Sequence, residues 1–358
     1  MAATPSNWNE FRSDTFTTPS PEMLETVVHA STGDSVYDED EDTLALQKQV
    51  CELTGHEAGL YCVSGTLSNQ IAIRSHLNRP PHSVLCDYRS HIFVHEAAGL
   101  ATLSQAMVTT VIPANGLHLT LEDIQRHYIP DNGNIHSAPT RVVSLENTLH
   151  GLVFPIDEIR RISKWCRDNN IAIHCDGARI WDAAVVSGVS LAEYGELFDS
   201  ISLCLSKTLG APIGSVLVGS ESLIRVANHF KKQNGGGIRQ AGPLARMGSY
   251  ALTHNFSKLR IAHEYAAEVG SYAEELGLVL QIPVHTNFVF LDPVKNMIDP
   301  QWIREVGQKH NVKVSSFRIA FSFQNTREAV DGLKAVLKEL HMLAQQKPYT
   351  NRTGHGIY

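Results

Sequence analysis

The feature that most constrains this chain is an alternation running along residues 59–218. Short apolar runs at 59–63, 84–86, 107–112, 140–146, 171–174, 200–205 and 215–218 have stretches of helical character interleaved among them, at 64–73, 91–99, 121–128 and 156–169. Runs this short are long enough for strands and too short for helices, so the pattern predicts βαβ units and a mostly parallel sheet flanked by helices. Two helices are expected upstream, over 22–32 and 40–54. The second has acids in its first turn and apolar positions at Leu44, Leu46, Val50 and Leu53. Glycines at 235–237 and 242 interrupt the alternation. Beyond them, 244–278 reads as long helices, followed by strands at 287–291, 312–314 and 317–323 and a helix over 326–342. The expected fold class is α/β, with an N-terminal segment over 1–20, a large α/β domain over 21–240, a smaller C-terminal α+β domain over 241–348 and a tail over 349–358.

With 358 residues, 43% hydrophobic and 19% charged, the chain can bury a full core. A net charge of −7 argues against nucleic acid or an anionic membrane as partner. No apolar run reaches the ~18 residues of a spanning helix, and the N-terminus lacks the basic and apolar regions of a secretory signal. The six cysteines form no CxxC and read as reduced, buried thiols of a cytoplasmic protein. The Asn351-Arg-Thr sequon is expected to be idle.

Lys207 follows the apolar run 200–205. A lysine at a strand end either begins a surface loop or sets an amine at the mouth of a dry site, where it can act on a carbonyl once deprotonated. The second reading gains weight from His174-Cys-Asp-Gly-Ala-Arg179, which follows its own apolar run and presents Asp176 and Arg179. An amine and a carboxylate at the carboxyl ends of strands meet the needs of pyridoxal 5′-phosphate (PLP). That cofactor takes a lysine for its Schiff base and a carboxylate to keep its pyridine nitrogen protonated. Ser64-Gly65-Thr66 lies between a strand and a helix, where backbone N–H groups, a hydroxyl and the helix dipole suit a phosphate; the same tripeptide is also an ordinary strand-to-helix turn. His91 is placed either to stack on a ring and move protons or simply to begin a helix. Arg179 and Arg318 are candidates for a substrate carboxylate, since a guanidinium fixes orientation as well as charge. Arg318 equally reads as an edge-strand residue facing water. No metal site is expected.

Six segments together resemble the low-specificity L-threonine aldolases, most closely the fungal form, over roughly residues 10–345. They are Phe11-Arg-Ser-Asp-Thr15, Ser64-Gly-Thr66, Ser144-Leu-Glu-Asn-Thr148, His174-Cys-Asp-Gly-Ala-Arg179, Leu205-Ser-Lys207 and Gly235-Gly-Gly-Ile-Arg-Gln240. The resemblance implies a fold-type I PLP enzyme, aspartate-aminotransferase-like, assembled as a homotetramer of two catalytic dimers with active sites at the dimer interfaces. By it, Lys207 is the Schiff-base lysine, Asp176 the partner of the ring nitrogen and His91 the ring-stacking histidine. Gly65 and Thr66 hold the phosphate, and Ser13, Arg179 and Arg318 hold the carboxylate of an amino-acid substrate. His136 matches a histidine placed near the substrate hydroxyl, and Arg239 an arginine that reaches a neighbouring subunit's phosphate. The implied reaction is cleavage of L-threonine or L-allo-threonine to glycine and an aldehyde. The alternative is racemisation of alanine at the same site, with Cα–H rather than Cα–Cβ perpendicular to the ring; both use Lys207, Asp176 and the arginines. The intact lysine, aspartate and arginines argue against a third reading, an inert binding protein. The sequence departs from relatives at Leu149-His150, which agrees with the fungal pattern, and at Ser322, where relatives commonly have histidine; the second departure bears on substrate preference and is the one residue-level hint of the racemase reading.

Overall fold

The computed structural model describes residues 7–347 and Tyr349; the rest of the tail, with its sequon, lies outside the described residues. The apolar runs form strands β1 (Ala58–Cys62), β2 (Ser83–Asp87), β3 (Met107–Val111), β4 (Thr140–Glu146), β5 (Ala172–Gly177), β6 (Ser200–Cys204) and β7 (Ser215–Gly219). They make one sheet in the order β1-β7-β6-β5-β4-β2-β3. All neighbours pair in parallel except β7, which is antiparallel to both β1 and β6. Every residue of β2, β6 and β7 is buried, as expected of strands covered on both faces.

Register decides where the chemistry goes. Cys62 of β1 and Cys204 of β6 both pair with Ser215 of β7, so the segments after β1 and β6 emerge at one edge. Asp176 of β5 pairs with Ser202 on one side and with Glu146 of β4 on the other. The carboxyl ends of β1, β4, β5 and β6 are therefore brought together across strands distant in sequence.

The helix Gly65–His76 begins directly after β1. Its cap is Ser64, whose Oγ accepts from the Leu67 N–H at 3.1 Å. It buries Ser68, Asn69 and Gln70 together with Ile71, Ala72 and Ile73. Three consecutive polar residues in a core are unusual, and each needs partners.

Two principal apolar clusters form. The larger surrounds the sheet and includes Leu85, Val143, Ile173, Trp181, Ile201 and Val216. The second joins strands β8 (Phe288–Phe290) and β9 (Arg318–Ala320), an antiparallel pair, to the helices Leu259–Glu275 and Arg327–Gln346. The packing departs from the expected division at residue 240: Ala241, Ala245, Ala251 and Leu252 belong to the sheet cluster. The apolar face of helix Gly242–Asn255 is spent on the large core before the chain leaves it. The N-terminal segment is likewise not separate, because Phe11 is a buried member of the second cluster and packs edge-on against Phe321 with centroids 5.3 Å apart.

Three element expectations need correction. The helix over 91–99 is two short turns, His91–Val94 and Gly99–Thr102, because Glu96 is drawn inward to buried partners. The strand at 312–314 is a single bridge between Lys313 and Glu10. The helix over 22–32 is a short α-helix, Pro21–Glu25, continued as a 3-10 turn that ends at His29.

Candidate active site

The sheet's carboxyl edge opens into a cavity of about 620 Å³. Of the residues read from sequence, Lys207, His91, Ser13, Arg179 and Arg318 line it. Lys207 lies in the loop between β6 and β7. Its carbonyl accepts from Thr17 Oγ1 at 2.7 Å and from the Gly210 N–H at 3.0 Å. The loop is tied across its base by the Leu205 N–H donating to the Gly214 carbonyl at 2.9 Å.

Asp176 sits behind the cavity wall and is 3% exposed. Its Oδ1 accepts from the Ala178 N–H at 3.0 Å and its Oδ2 from Asn69 Nδ2 at 2.8 Å. One carboxylate oxygen each of Asp176 and Glu96 and one ring nitrogen of His91 lie within 4.8 Å of one another, which joins the buried carboxylate to the wall. His91 Nδ1 is 2.8 Å from Glu96 Oε1. Burial opposes a charged imidazole at His91, but the Glu96 hydrogen bond, with Asp176 and Glu146 nearby, outweighs it and raises the pKa. Glu146 ends β4 and accepts from the His91 backbone N–H at 2.8 Å. Burial and the adjacent Asp176 push the Glu146 carboxyl up to about 8.

The arginine side of the cavity rests on a carboxylate that sequence reasoning passed over. Asp14 accepts from Arg179 Nε at 2.5 Å and Nη2 at 2.8 Å, and from Asn287 Nδ2 at 3.2 Å. The Arg179 and Arg318 guanidinium carbons lie 4.8 and 4.5 Å from the centroid of the same ring, Phe288. Ser13 Oγ accepts from the Thr15 N–H and hydroxyl, at 3.3 and 2.9 Å, which leaves its own O–H to donate. Arg89 lines the wall as well, held bidentately by Asp87 at 2.9 and 2.7 Å. His95 and His150 complete an imidazole group near His91. Burial, then His91 and Arg318, lowers His95; burial and the surrounding arginines push His150 down to about 3.

Gly65 and Thr66 are outside the cavity lining but open the helix at the same edge; an ideal Cβ at Gly65 would meet no heavy atom within 4 Å. An anion has room there against the helix N-terminus. The residues thus fit the group expected from the sequence: an amine, a buried carboxylate fixed by two N–H donors, and an open helix start.

Three other residues are not brought to the cavity. His136 is exposed in the loop before β4. Arg239 is exposed and paired with Asp34 at 3.0 Å. Ser322 is buried in a turn, its N–H donating to Asn325 Oδ1 at 2.7 Å. It does not line the cavity, where its expected influence on substrate preference would act; its N–H and Oγ are engaged with Asn325 and Gln324. Asp14, Asn69, Glu96 and Glu146 went unassigned. For Glu146 a signal exists, since it ends an apolar run as Asp176 does; Glu96 carries none.

Residues 10–296 match the beta-eliminating lyase family, the class to which this fold and this edge chemistry correspond. Among curated proteins, a low-specificity L-threonine aldolase of Candida albicans is 55% identical over 345 residues, covering 96% of this chain and 92% of that protein. An alanine racemase of Cochliobolus carbonum is more distant, 34% identical over 351 residues, covering 96% and 89%. Among solved structures, a threonine aldolase of Leishmania major superposes with a TM-score of 0.78 at 21% identity, covering 92% of this chain and 98% of that one, and so shares the fold. The chain belongs to the low-specificity L-threonine aldolases.

Proposed function

We propose that the chain is a PLP-dependent lyase that cleaves L-threonine and L-allo-threonine to glycine and an aldehyde. The observation that carries this reading is the convergence of Lys207, Asp176 and His91 on one sheet edge, beside paired arginines. Bound there, PLP supplies an electron sink for the bond broken at Cα.

The chain's own residues do the rest. Lys207 would hold the cofactor's carbonyl carbon, and Asp176, its oxygens fixed by Asn69 and the Ala178 N–H, would partner the ring nitrogen. His91 would cover the ring, and Gly65 and Thr66 would take the phosphate. Arg179 and Arg318 bind the substrate carboxylate with the Ser13 hydroxyl. Arg179 uses Nε and one Nη on Asp14, which aims the other Nη rather than leaving the side chain to search. Fixing the carboxylate would set which bond at Cα is presented for cleavage. An imidazole, His91 or His136 or a water that either holds, takes the β-hydroxyl proton; such help typically contributes about 10²–10⁴-fold. His95 adds a neutral imidazole to the same wall, its ring centroid 5.5 Å from that of His91.

The reading extends to a homotetramer in the cytoplasm. His136 and Arg239, exposed and away from their own cavity, act at a site only when another copy presents them. Six free cysteines, most of them buried, accord with a reducing compartment. The racemase alternative loses its one residue-level support, because Ser322 does not line the cavity.

The test incubates the holoenzyme separately with L-threonine, L-allo-threonine and L-alanine. Aldehyde and glycine from the first two are expected. D-Alanine without any aldehyde would replace this reading with the racemase, and a Lys207→Ala variant that kept substantial cleavage would remove the lysine's role.

A further inference from the structure

We propose that Asn69 is a positioning residue that orients, with one amide group, both protein contacts to the cofactor ring: Asp176 at its nitrogen and His91 on its face. The inference rests on the functional reading above and extends it to residues that touch neither cofactor nor substrate.

Asn69 is 1% exposed on the helix Gly65–His76, at the centre of a buried polar chain. Its Nδ2 lies 2.8 Å from Asp176 Oδ2 and 2.9 Å from Glu96 Oε1. Glu96 in turn holds His91 Nδ1 at 2.8 Å, and its second oxygen accepts from Gln70 Nε2 at 2.6 Å. On the other side, Asn69 Oδ1 is 3.1 Å from His174 Nε2. His174 Nδ1 is 2.8 Å from Ser200 Oγ, which is also 2.8 Å from His76 Nε2.

Donor chemistry permits one arrangement of these protons. Asp176 Oδ2 and Glu96 Oε1 both accept from Asn69 Nδ2, which uses the two N–H bonds that an amide nitrogen carries. Asn69 Oδ1 then needs a donor, which sets the His174 proton on Nε2. Burial keeps His174 neutral, its pKa pushed down to about 3, so Nδ1 carries no proton and must accept from the Ser200 hydroxyl. Ser200 Oγ, having given its proton, accepts from His76 Nε2–H; burial lowers His76 too, to about 4, and keeps it neutral. The donors therefore all point one way, from His76 through Ser200, His174 and Asn69 to Asp176. A flipped Asn69 would set its carbonyl against two carboxylates and its NH₂ against the His174 donor, losing every bond at once. His174 acts as the latch on this choice. The tautomer that lets it grip Oδ1 is the tautomer that Ser200 enforces.

The arrangement also explains two of the three polar residues in the core-facing turn of this helix, Asn69 and Gln70; Ser68 is satisfied separately, its Oγ 3.0 Å from Ser215 Oγ. Gly99 fits the same account: an ideal Cβ there would come within 2.6 Å of the Gln70 side chain, so only glycine lets Gln70 reach Glu96.

The test titrates apoprotein with PLP, follows binding by the visible absorption of the bound cofactor, and records the apoprotein's thermal midpoint alongside. Loss of both amide contacts, to Asp176 and to Glu96, is expected to weaken PLP binding about 10–100-fold in Asn69→Ala. His174→Leu, which removes only the latch, is expected to weaken it by a smaller factor. His174→Gln presents an N–H to Asn69 and an acceptor to Ser200, and is expected to restore binding to near the wild-type value. Ser200→Ala loses one hydroxyl and serves as the mild variant if the others do not fold; it is expected to weaken binding severalfold. Should the variants that fold bind PLP as tightly as wild type with an unchanged spectrum, the inference is overturned. So it is if His174→Gln binds no better than His174→Leu at equal thermal stability, since the effect is then not one of donor placement. A wild-type protein that binds no PLP refutes the functional reading instead, which keeps the two failures distinct.

Discussion

Replacing Asp14 by asparagine isolates the charge pair on which the arginine side of the cavity rests. The Asp14 carboxylate is 1% exposed and takes both Nε and Nη2 of Arg179. Asparagine keeps the size and one acceptor oxygen, which continues to serve Asn287, but leaves the buried guanidinium without a counter-charge. Removing one partner of a buried pair costs about 3–5 kcal/mol, and the retained oxygen places Asp14→Asn near 3 kcal/mol. The pH dependence has a definite sign. Burial by itself would raise the Asp14 carboxyl, but Arg179, with Arg318 and Lys207 beyond it, holds it well below the usual carboxylate range. A depressed folded pKa gives stability that is present above the unfolded value, near 3.9, and lost as pH falls through the folded one. Urea unfolding of wild-type and Asp14→Asn apoprotein should therefore differ by the full amount near pH 7, with the gap narrowing below about pH 4. Adding Arg179→Met to Asp14→Asn should recover part of the loss, because no unpaired charge then remains buried. The reasoning fails if Asp14→Asn costs less than about 1 kcal/mol at pH 7, if the gap does not close in acid, or if the double variant is no more stable than the single one.

Glu146→Gln tests the opposite case. A folded pKa of about 8 against an unfolded value near 4.3 means that wild-type stability declines as pH rises between them; the variant should gain on wild type from pH 5 to pH 8 and level off above. A stability difference that stays flat over that range would refute the assignment. Arg318→Ala should lower kcat/KM for L-threonine about 10–100-fold through one lost charge-assisted contact, and Arg318→Lys should not restore it, because a point charge does not reproduce a guanidinium fork stacked on Phe288. Steady-state kinetics of the two variants measure this, and full activity in the lysine variant would contradict it. Ser322→His should leave the ratio of aldehyde to D-alanine product unchanged, since the side chain does not reach the cavity; a shift towards D-alanine, measured by chiral chromatography, would overturn that placement.

How far the fold could be read depended on what each element had to bury. Strand β4 runs over 140–146 as its sequence predicts, because an apolar run between polar boundaries needs no tertiary information. Strand β5 extends past the apolar run 171–174 to Gly177, since pairing with Glu146 and Ser202 holds the polar Asp176 in the sheet. The helix Glu221–Gln233 has a local signal in its Ser220 cap and the buried positions Leu223, Ile224 and Ala227. Ile180–Ser187 has only Gly188 at its C-terminus, because Ile180–Ala184 are all buried and show no polar stripe. In the site, Lys207 and Asp176 were legible because each ends an apolar run. The contacts that position the neighbouring side chains were not: Asp14 meets Arg179 across 165 residues and Asn69 meets Asp176 across 107, with no local pattern to couple them.

The reversed strand β7 has a dynamic consequence. Because β6 and β7 run antiparallel, the chain leaves and re-enters the sheet at the same edge, and Lys207 rides on a closed hairpin loop rather than at the start of a crossover helix. That loop is clamped at its base by Leu205 and Gly214, on one flank by Thr17 at the Lys207 carbonyl, and beyond the lysine by Asp182 at Thr208 and Asn255 at Leu209. Its backbone has almost no freedom to follow the side chain. Any travel of the amine is made by torsions of four methylenes, which relax far faster than loops move, and each return ends at a point that the sheet itself defines.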